Sequence, residues 1–176
     1  IAKANKVIVG KHDPAIEGGL SNFIKWKFID FNFTMTYKLG GDSFDYATWL
    51  HDNGGNYALY GAIPSYYKLE DMWQKPGDNA KLPKFQTYSG VGHVSSRWLM
   101  PNDYLRLKNL TVGFSAPKEW LHNFGLSKAR VYFSAKNLLT WKSKDLYVDP
   151  ETPADGLCTF EMPALRTYTF GIELSF

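Results

Sequence analysis

The residue types that commonly perform catalysis are present, but their spacing forms no catalytic or metal-binding motif. The histidines occupy separate segments without HxxxH or HxH spacing: His12, His51, His93 and His122. Glu70 and Asp71 are adjacent, so their carboxylates point to different sides of a helix or strand and make a poor acid–base pair. DPETPADG (149–156) offers carboxylates to Ca²⁺ but lacks the spacing of an EF-hand loop. We expect no enzyme activity, no cofactor and no metal.

Aromatic residues are concentrated between residues 40 and 102, with polar residues interspersed. The candidate contact residues of this segment are Trp49, Tyr57, Tyr60, Tyr66, Tyr67, Trp73, Arg97 and Trp98. Flat rings beside carboxylates and amides are typical of carbohydrate sites, and aromatic surfaces also build protein interfaces. Three interpretations stay open: these side chains pack the core of the loop itself, contact a partner protein, or contact a substrate.

The composition indicates an ordered β-rich protein of 176 residues, with 44% hydrophobic and 16% aromatic residues. A net charge of +3 without basic runs gives no reason to expect a nucleic-acid partner. The single cysteine, Cys158, excludes an internal disulfide and is interpreted as an incidental thiol in a loop. No apolar run approaches the roughly 18 residues of a membrane helix.

The strongest alternation lies at the end of the chain, in RTYTFGIELSF (166–176). One side of this predicted strand is apolar and the other is small or polar. The apolar row is Tyr168, Phe170, Ile172, Leu174 and Phe176. Gly171 lies in the opposite row, where it would let a neighbouring side chain or backbone come close.

Similar alternation predicts five strands, at 16–27, 28–39, 103–115, 129–141 and 165–176. Leu105 and Leu107 are out of phase with the apolar residues that follow them, which predicts a bulge near Lys108–Asn109. Short helices are plausible at 43–52, 65–74 and 118–128, the last ending at Gly125. Short connections alternate with long ones, at 40–102 and 142–163. In an up-and-down sheet all the long connections therefore lie at one end, as in outer-membrane barrels.

We predict that the apolar rows face lipid and that the polar rows face a wet lumen. The predicted lumen-facing residues are Asp30, Asn32, Thr34 and Glu173. Aromatics near the strand ends match the girdles of membrane barrels: Trp26, Tyr37, Phe114, Tyr168 and Phe176. Closing a barrel takes about eight strands, and an open edge in lipid is costly. With no Met or signal segment at the start, we expect the C-terminal segment (1–176) of a larger all-β membrane barrel.

Several segments resemble the C-terminal strands of SusC/RagA-like TonB-dependent outer-membrane transporters. The segments are NDYLRLKNLTVGFSAPKEWL, LSKARVYFSAKNLLTW and LRTYTFGIELSF. Upstream, FIDFNFTMTYKLGGDSFDY and DMWQKPGDNAKLPKF are similar to the preceding hairpin and a tryptophan-proline loop of that family. The similar segments cover nearly the whole chain in the order and spacing of the family.

The resemblance implies the last five strands of a barrel of about 22 strands around a plug. It implies import of oligosaccharides or peptides across the bacterial outer membrane, with a SusD-like lipoprotein as lid and energy delivered by TonB to a plug that this chain lacks. The terminal strand resembles the signal read by the barrel-assembly machinery. Its signal residues would be Tyr168, Phe170, Gly171, Ile172, Leu174 and Phe176.

Two other functions stay open from the sequence. One is a membrane barrel without a transport function, such as an adhesin or a structural porin. The other is a soluble β-sandwich that binds carbohydrate, which predicts solubility without detergent and no lipid-facing row.

Overall fold

A computed structural model describes residues 6–51, 68–82, 84, 94–146, 148–151, 156–159 and 162–176. The chain divides into two units. The sheet unit comprises Asp13–Gly41, Pro101–Pro150 and Met162–Phe176. The loop unit comprises Ile1–His12, Asp42–Met100 and Glu151–Glu161.

The described residues form eight strands, which are numbered in chain order. They are β1 (Ile16–Trp26), β2 (Ile29–Leu39), β3 (Asp42–Asp45), β4 (Leu99–Pro101), β5 (Tyr104–Ser115), β6 (Lys128–Lys142), β7 (Leu157–Cys158) and β8 (Thr167–Ser175). Five of them form an antiparallel sheet in the order β1-β2-β5-β6-β8. No end of these five strands differs by more than two residues from the range predicted for it. The all-β fold class is confirmed.

The strand order is that of an up-and-down meander, so short and long connections lie at opposite ends of the sheet. Trp26 pairs with Ile29, which leaves a two-residue turn with Lys27 at φ 52°. The β5–β6 connection holds a short helix, α2 (Lys118–Leu121), then a 3₁₀ turn that ends at Gly125 with φ 64°. A left-handed residue there stops the helix, as predicted from the glycine. The two long connections leave from the other end.

The predicted irregularity near Lys108 is confirmed, and it corrects the phase of β5. Thr34 pairs with Asn109 whereas Met35 pairs with Leu107, so Lys108 is an extra residue opposite β2. The shift continues on β6, where Asn137 has φ 52°. A bulge of this kind moves the following residues to the other side of the strand. Leu105 and Leu107 therefore share a face with the later apolar residues of β5.

The register gives the sheet an apolar face and a polar face. The apolar face is formed by Ile16, Leu20, Ile24, Trp26, Ile29, Phe31, Phe33, Met35, Tyr37, Leu39, Leu105, Leu107, Leu110, Val112, Phe114, Val131, Phe133, Ala135, Leu139, Trp141, Tyr168, Phe170, Ile172 and Leu174. The polar face carries Asp30, Asn32 and Thr34 of β2 with their partners on β5, β6 and β8. Alternation along each strand and in-register pairing between strands produce this separation.

The loop unit has secondary structure of its own. Strands β4, β3 and β7 form a second sheet, beside a helix α1 (Tyr46–His51) and 3₁₀ turns at Leu69–Asp71 and Ser96–Trp98. β3 and β7 pair in parallel, with Phe44 opposite Leu157, so the two long connections are joined by backbone. The sequence did not predict this sheet. Cys158, which we interpreted as a thiol in a loop, is instead a buried residue of β7.

The predicted helices of this unit are shorter than expected. The segment 43–52 forms a helix only over Tyr46–His51, because Asp42–Asp45 is a strand. Of the segment 65–74, residues 65–67 lie outside the described residues, and the described part contains one 3₁₀ turn. Among the helices that the structure describes, none has the length and apolar character needed to cross a membrane.

Candidate functional site

An ion-pair cluster lies on the polar face near the end with the short connections. Arg130 of β6 donates from Nη2 to Asp30 Oδ2 at 2.6 Å and from Nε to Asp30 Oδ1 at 3.1 Å. Its Nη1 donates to Glu173 Oε1 at 3.0 Å, and Lys128 Nζ donates to Glu173 Oε2 at 3.1 Å. The arginine therefore links β2 to β8 through bonds to two carboxylates.

Two glycines make room for this cluster. Gly113 of β5 lies between Asp30 and Tyr132 in the sheet, and a Cβ there would be 2.5 Å from Asp30 Oδ1 and 2.6 Å from Arg130 Nη2. The arginine can reach across β5 because Gly113 has no side chain. Gly171 lies opposite Tyr132 on β8, and the Tyr132 ring occupies the space of a Cβ at Gly171. Arg130 Cζ is 5.2 Å from the centroid of the same ring.

Small polar side chains continue the polar face beyond the cluster. Asn32, Thr111, Ser134 and Thr169 pair in one row across four strands. Thr111 Oγ1 and Ser134 Oγ are 3.1 Å apart, and Ser21 Oγ lies 3.1 Å from Thr34 Oγ1. Asp30, Asn32, Thr34 and Glu173 thus lie on one face. Hydroxyl and amide groups of this kind can hydrogen-bond water or a polar solute.

A second arginine lies on the part of β5 nearer the long connections. Arg106 Nη2 donates to Asp149 Oδ1 at 2.7 Å, and Arg106 Nε donates to Thr140 Oγ1 at 3.1 Å. Asp149 Oδ2 also accepts a hydrogen bond of 3.0 Å from Ala164 N. Arg106 is 2% exposed. The Asp149 carboxylate therefore attaches the β6–β8 connection, at Asp149 itself and at Ala164, to the buried Arg106 of the sheet.

The apolar face is open to its surroundings. In the terminal row, Phe170 is 81% exposed and Ile172 is 72% exposed. Phe170 contacts the Phe133 ring at a centroid distance of 5.0 Å, so the rings touch within the face. Trp26 and Phe114 lie at the end with the short connections, and Tyr37 at the opposite end. Tyr168 differs from these because it pairs with Ala135, inside β6 rather than at its end.

The loop residues that we named as candidate contacts are only partly described. Tyr57, Tyr60, Tyr66 and Tyr67 lie outside the described residues. Trp98 is 2% exposed, and Trp49 contacts the rings of Phe44 and Tyr46 at 6.3 and 5.1 Å. This packing favours the interpretation that both tryptophans belong to the core of the loop unit. Arg97 is exposed and lies over the Trp98 ring at 4.9 Å; Trp73 is half-buried.

One described ion pair of the loop unit joins Lys81 to Asp71. Lys81 Nζ is 2.9 Å from Asp71 Oδ1, and this hydrogen bond raises the pKa of Lys81. No three His, Cys, Asp or Glu side chains are grouped as a metal site would require within the part of the chain that the structure describes. Of DPETPADG, residues 152–155 lie outside that part.

Asp45 anchors the start of α1 and gives a test of the loop unit. It is fully buried, and its Oδ1 and Oδ2 accept hydrogen bonds from Thr48 N at 2.9 Å and Thr48 Oγ1 at 2.6 Å. Asp45→Ala removes this cap and should destabilise α1 by roughly 1–2 kcal/mol. Hydrogen exchange of the α1 amides should accelerate in Asp45→Ala and change little in Asp45→Asn. Equal exchange in Asp45→Ala and the unmodified protein would contradict the capping role.

No family model matches the chain. Two curated relatives cover all of it: TonB-dependent receptor P3 of Formosa agariphila is 28% identical over 187 aligned positions, and TonB-dependent receptor P26 of the same organism is 24% identical. The chain is similar to TonB-dependent receptors. The predicted resemblance to SusC/RagA-like transporters is confirmed. The chain spans 18% of the length of those two receptors.

Solved structures of a peptide importer share the fold of this chain. The RagAB peptide importer in its "closed-closed" state matches with a TM-score of 0.73 and 26% identity, over 93% of this chain and 17% of that one. The "open-open" state matches with a TM-score of 0.71 and 25% identity over 94% of this chain. The relatives and the structures are named as receptors, importers and transporters, which is consistent with the absence of a catalytic motif in the sequence.

Sequence reasoning missed Arg130, Arg106, Asp149, Gly113 and Tyr132. Part of the signal for Arg130 was available, because it lies in the polar row of β6 and pairs with Glu173 on the neighbouring strand β8. Its bond to Asp30 was not indicated, because β2 and β6 are separated by β5. The signal for Gly113 was its position in the polar row of β5, next to β6, where Tyr132 provides a large polar side chain. Nothing in the sequence indicated the bond between Arg106 and Asp149, because Asp149 lies in a connection without periodicity.

Proposed function

We propose that this chain is the C-terminal segment of the barrel of a TonB-dependent outer-membrane transporter. The observation that carries the proposal is the two-faced sheet, with an exposed apolar face opposite a polar face of paired ions and hydroxyls. Soluble monomers rarely expose apolar patches above a few hundred Å². Lipid in contact with one face and water in contact with the other would explain both the exposed apolar face and the polar face.

The sheet must pair with strands from outside this chain. β1 and β8 are the two edges of the five-stranded sheet. Unpaired N–H and C=O groups in hydrocarbon cost several kcal/mol each, so a sheet in a membrane closes into a barrel. In the complete protein these strands are the last five of about 22, by resemblance to the family. The terminal row, with Phe176, serves as the signal for the barrel-assembly machinery.

The long connections face the cell exterior and the short ones face the periplasm, as in other outer-membrane barrels. The pairing of β3 with β7 joins the two exterior connections into one platform. This platform lies where a SusD-like lid lipoprotein and the substrate approach, and its exposed residues, Arg97 among them, are candidates for contact with either. TonB acts on the plug, elsewhere in the complete protein.

The complete protein imports oligosaccharides or peptides across the outer membrane. The similarity to a structure named as a peptide importer supports peptides as one substrate class, and the aromatic loop segment supports glycans as the other. The sequence contains no catalytic motif that would favour an enzyme and no basic run that would favour nucleic-acid binding over transport.

The test is an uptake measurement in the natural host with the gene deleted and then restored. We expect the deletion to abolish uptake of either a labelled peptide mixture or a labelled oligosaccharide mixture, and a protonophore to abolish it in the restored strain, because energy passes through TonB. The protein should be found in the detergent-soluble outer-membrane fraction. Recovery in the aqueous fraction, or unchanged uptake of both mixtures, would overturn the proposal.

A further inference from the structure

We infer that the polar face carries a register lock for the terminal strand, formed by Gly171 with Tyr132 and by Glu173 with Arg130 and Lys128. The lock selects one register of β8 against β6 among several registers that the apolar row would accommodate equally well. The inference relies on the proposed function only in taking the apolar face as the lipid side.

The apolar row of β8 cannot fix the register by itself. A shift by one residue would turn this row to the polar side, which alternation forbids. A shift by two residues keeps it on the apolar side. Phe133 would then face Ile172 or Tyr168 in place of Phe170, and each of these is apolar. The hydrophobic pattern therefore permits three registers, and lipid on that side does not distinguish them.

The polar row distinguishes them through the size of one residue. Tyr132 lies opposite Gly171, and its ring fills the space that any side chain at that position would need. A shift by two residues places Thr169 or Glu173 opposite Tyr132. Either side chain would overlap the ring in its present position, so the ring would have to move and lose its contact with Arg130. Gly171 is the only glycine of β8.

The same row distinguishes the registers through charge. Glu173 is the only residue of β8 that is charged at neutral pH, and it accepts bonds from Arg130 at 3.0 Å and from Lys128 at 3.1 Å. A shift by two residues places Gly171 or Ser175 opposite Arg130. Because the same guanidinium is also bound to Asp30 of β2, the position of Glu173 is set relative to two strands at once.

Disulfide trapping in the full-length protein, in isolated outer membranes, measures the register directly. Ser134→Cys with Thr169→Cys reports the present pairing, since antiparallel partners have Cα atoms about 4.5–5.5 Å apart, within reach of a disulfide. Lys136→Cys with Thr169→Cys reports a shift in one direction, and Ser134→Cys with Thr167→Cys a shift in the other. With the lock unmodified, the yield of the first cross-link should far exceed the yields of the other two. Single-cysteine variants give the background yield.

The decisive comparison combines these pairs with Gly171→Ala. A Cβ against the Tyr132 ring should lower the yield of the present-register cross-link about fivefold, and the shifted cross-links should rise. Tyr132→Ala removes the ring, so Gly171→Ala should then have no further effect on yield or on the amount of folded barrel. An effect of Gly171→Ala that is equal in the presence and absence of the ring would overturn the lock.

A second variant tests the ionic half. Glu173→Gln keeps the size of the side chain but removes its charge, and the shifted cross-links should rise at the expense of the present one. Unchanged yields would remove Glu173 from the lock. Because cross-linking does not depend on uptake, a normal register in a protein that imports nothing would contradict only the proposed function. Shifted pairing in the unmodified protein would contradict only the lock.

Discussion

Phe170→Arg is expected to remove most of the folded protein from the outer membrane, whereas Thr169→Arg should leave most of it in place. The two positions are neighbours in the middle of β8 and lie on opposite faces of the sheet. An arginine on the lipid face costs about 2–4 kcal/mol at the bilayer midplane, and a lumen-facing substitution costs far less.

The size of this contrast depends on lipid against the apolar face. Phe170 is 81% exposed, so in water its replacement by arginine would remove little packing. Exposed substitutions in soluble proteins usually change stability within about 0.5 kcal/mol. The loss at Phe170 is therefore a property of the surroundings rather than of the contacts with Phe133.

The measurement is the fraction of heat-modifiable, folded barrel in outer membranes from cells that express each variant at equal levels. We expect a large loss for Phe170→Arg and near-normal amounts for Thr169→Arg. Equal accumulation of the two variants would contradict the assignment of the apolar face to lipid.

Asp149→Ala is expected to release the β6–β8 connection from the sheet. The carboxylate bonds Arg106 at 2.7 Å and Ala164 N at 3.0 Å, and the Arg106 side chain is 3% exposed. Removing one partner of a buried ion pair typically costs about 3–5 kcal/mol, because the other charge stays buried without it. The cost should fall on local opening of this connection, since the strands themselves keep their pairing.

Trypsin cleavage after Lys144 measures that opening, because this lysine is exposed and lies in the same connection. The cleavage rate should rise by about two to three orders of magnitude in Asp149→Ala. Lys68→Gln is the control, since it breaks an exposed ion pair of 3.8 Å between side chains that are 65% and 75% exposed, and it should leave the rate unchanged.

A double variant separates the ion pair from the general effect of substitution. Arg106→Met with Asp149→Met replaces both charges by apolar groups, which is often neutral in protein interiors. We expect its cleavage rate to lie much closer to that of the unmodified protein. A double variant that is cleaved as fast as Asp149→Ala would contradict the role of the pair.

The strands were predictable because their signals are local. Alternation in β2 and β8 needs only the residues of one strand, and the out-of-phase leucines at 105 and 107 revealed the bulge at Lys108. The same local pattern placed Asp30 and Glu173 in polar rows. The short β1–β2 and β5–β6 connections then predicted those two pairings, because a short connection leaves little choice of partner strand.

The contacts of the candidate site were not predictable because they join distant residues. Arg130 bonds Asp30 across 100 positions of sequence and passes over β5, which depends on the absence of a side chain at Gly113. The pairing of β3 with β7 involves two very short strands without alternation, each in a connection of irregular composition. Such contacts depend on which distant segments pack together in the fold. The periodicity of a single segment gives no information about its distant partners.

Spin labels on β8 of the full-length protein in outer-membrane vesicles test the central claim most directly. Labels at Phe170 and Ile172 should collide with dissolved oxygen far more than with a water-soluble nickel chelate, because they face lipid. Labels at Thr167 and Thr169 should show the opposite preference. Access of the nickel chelate to all four positions, or exclusion of both reagents from Phe170 and Ile172, would contradict a lipid-facing apolar row and favour a soluble sheet.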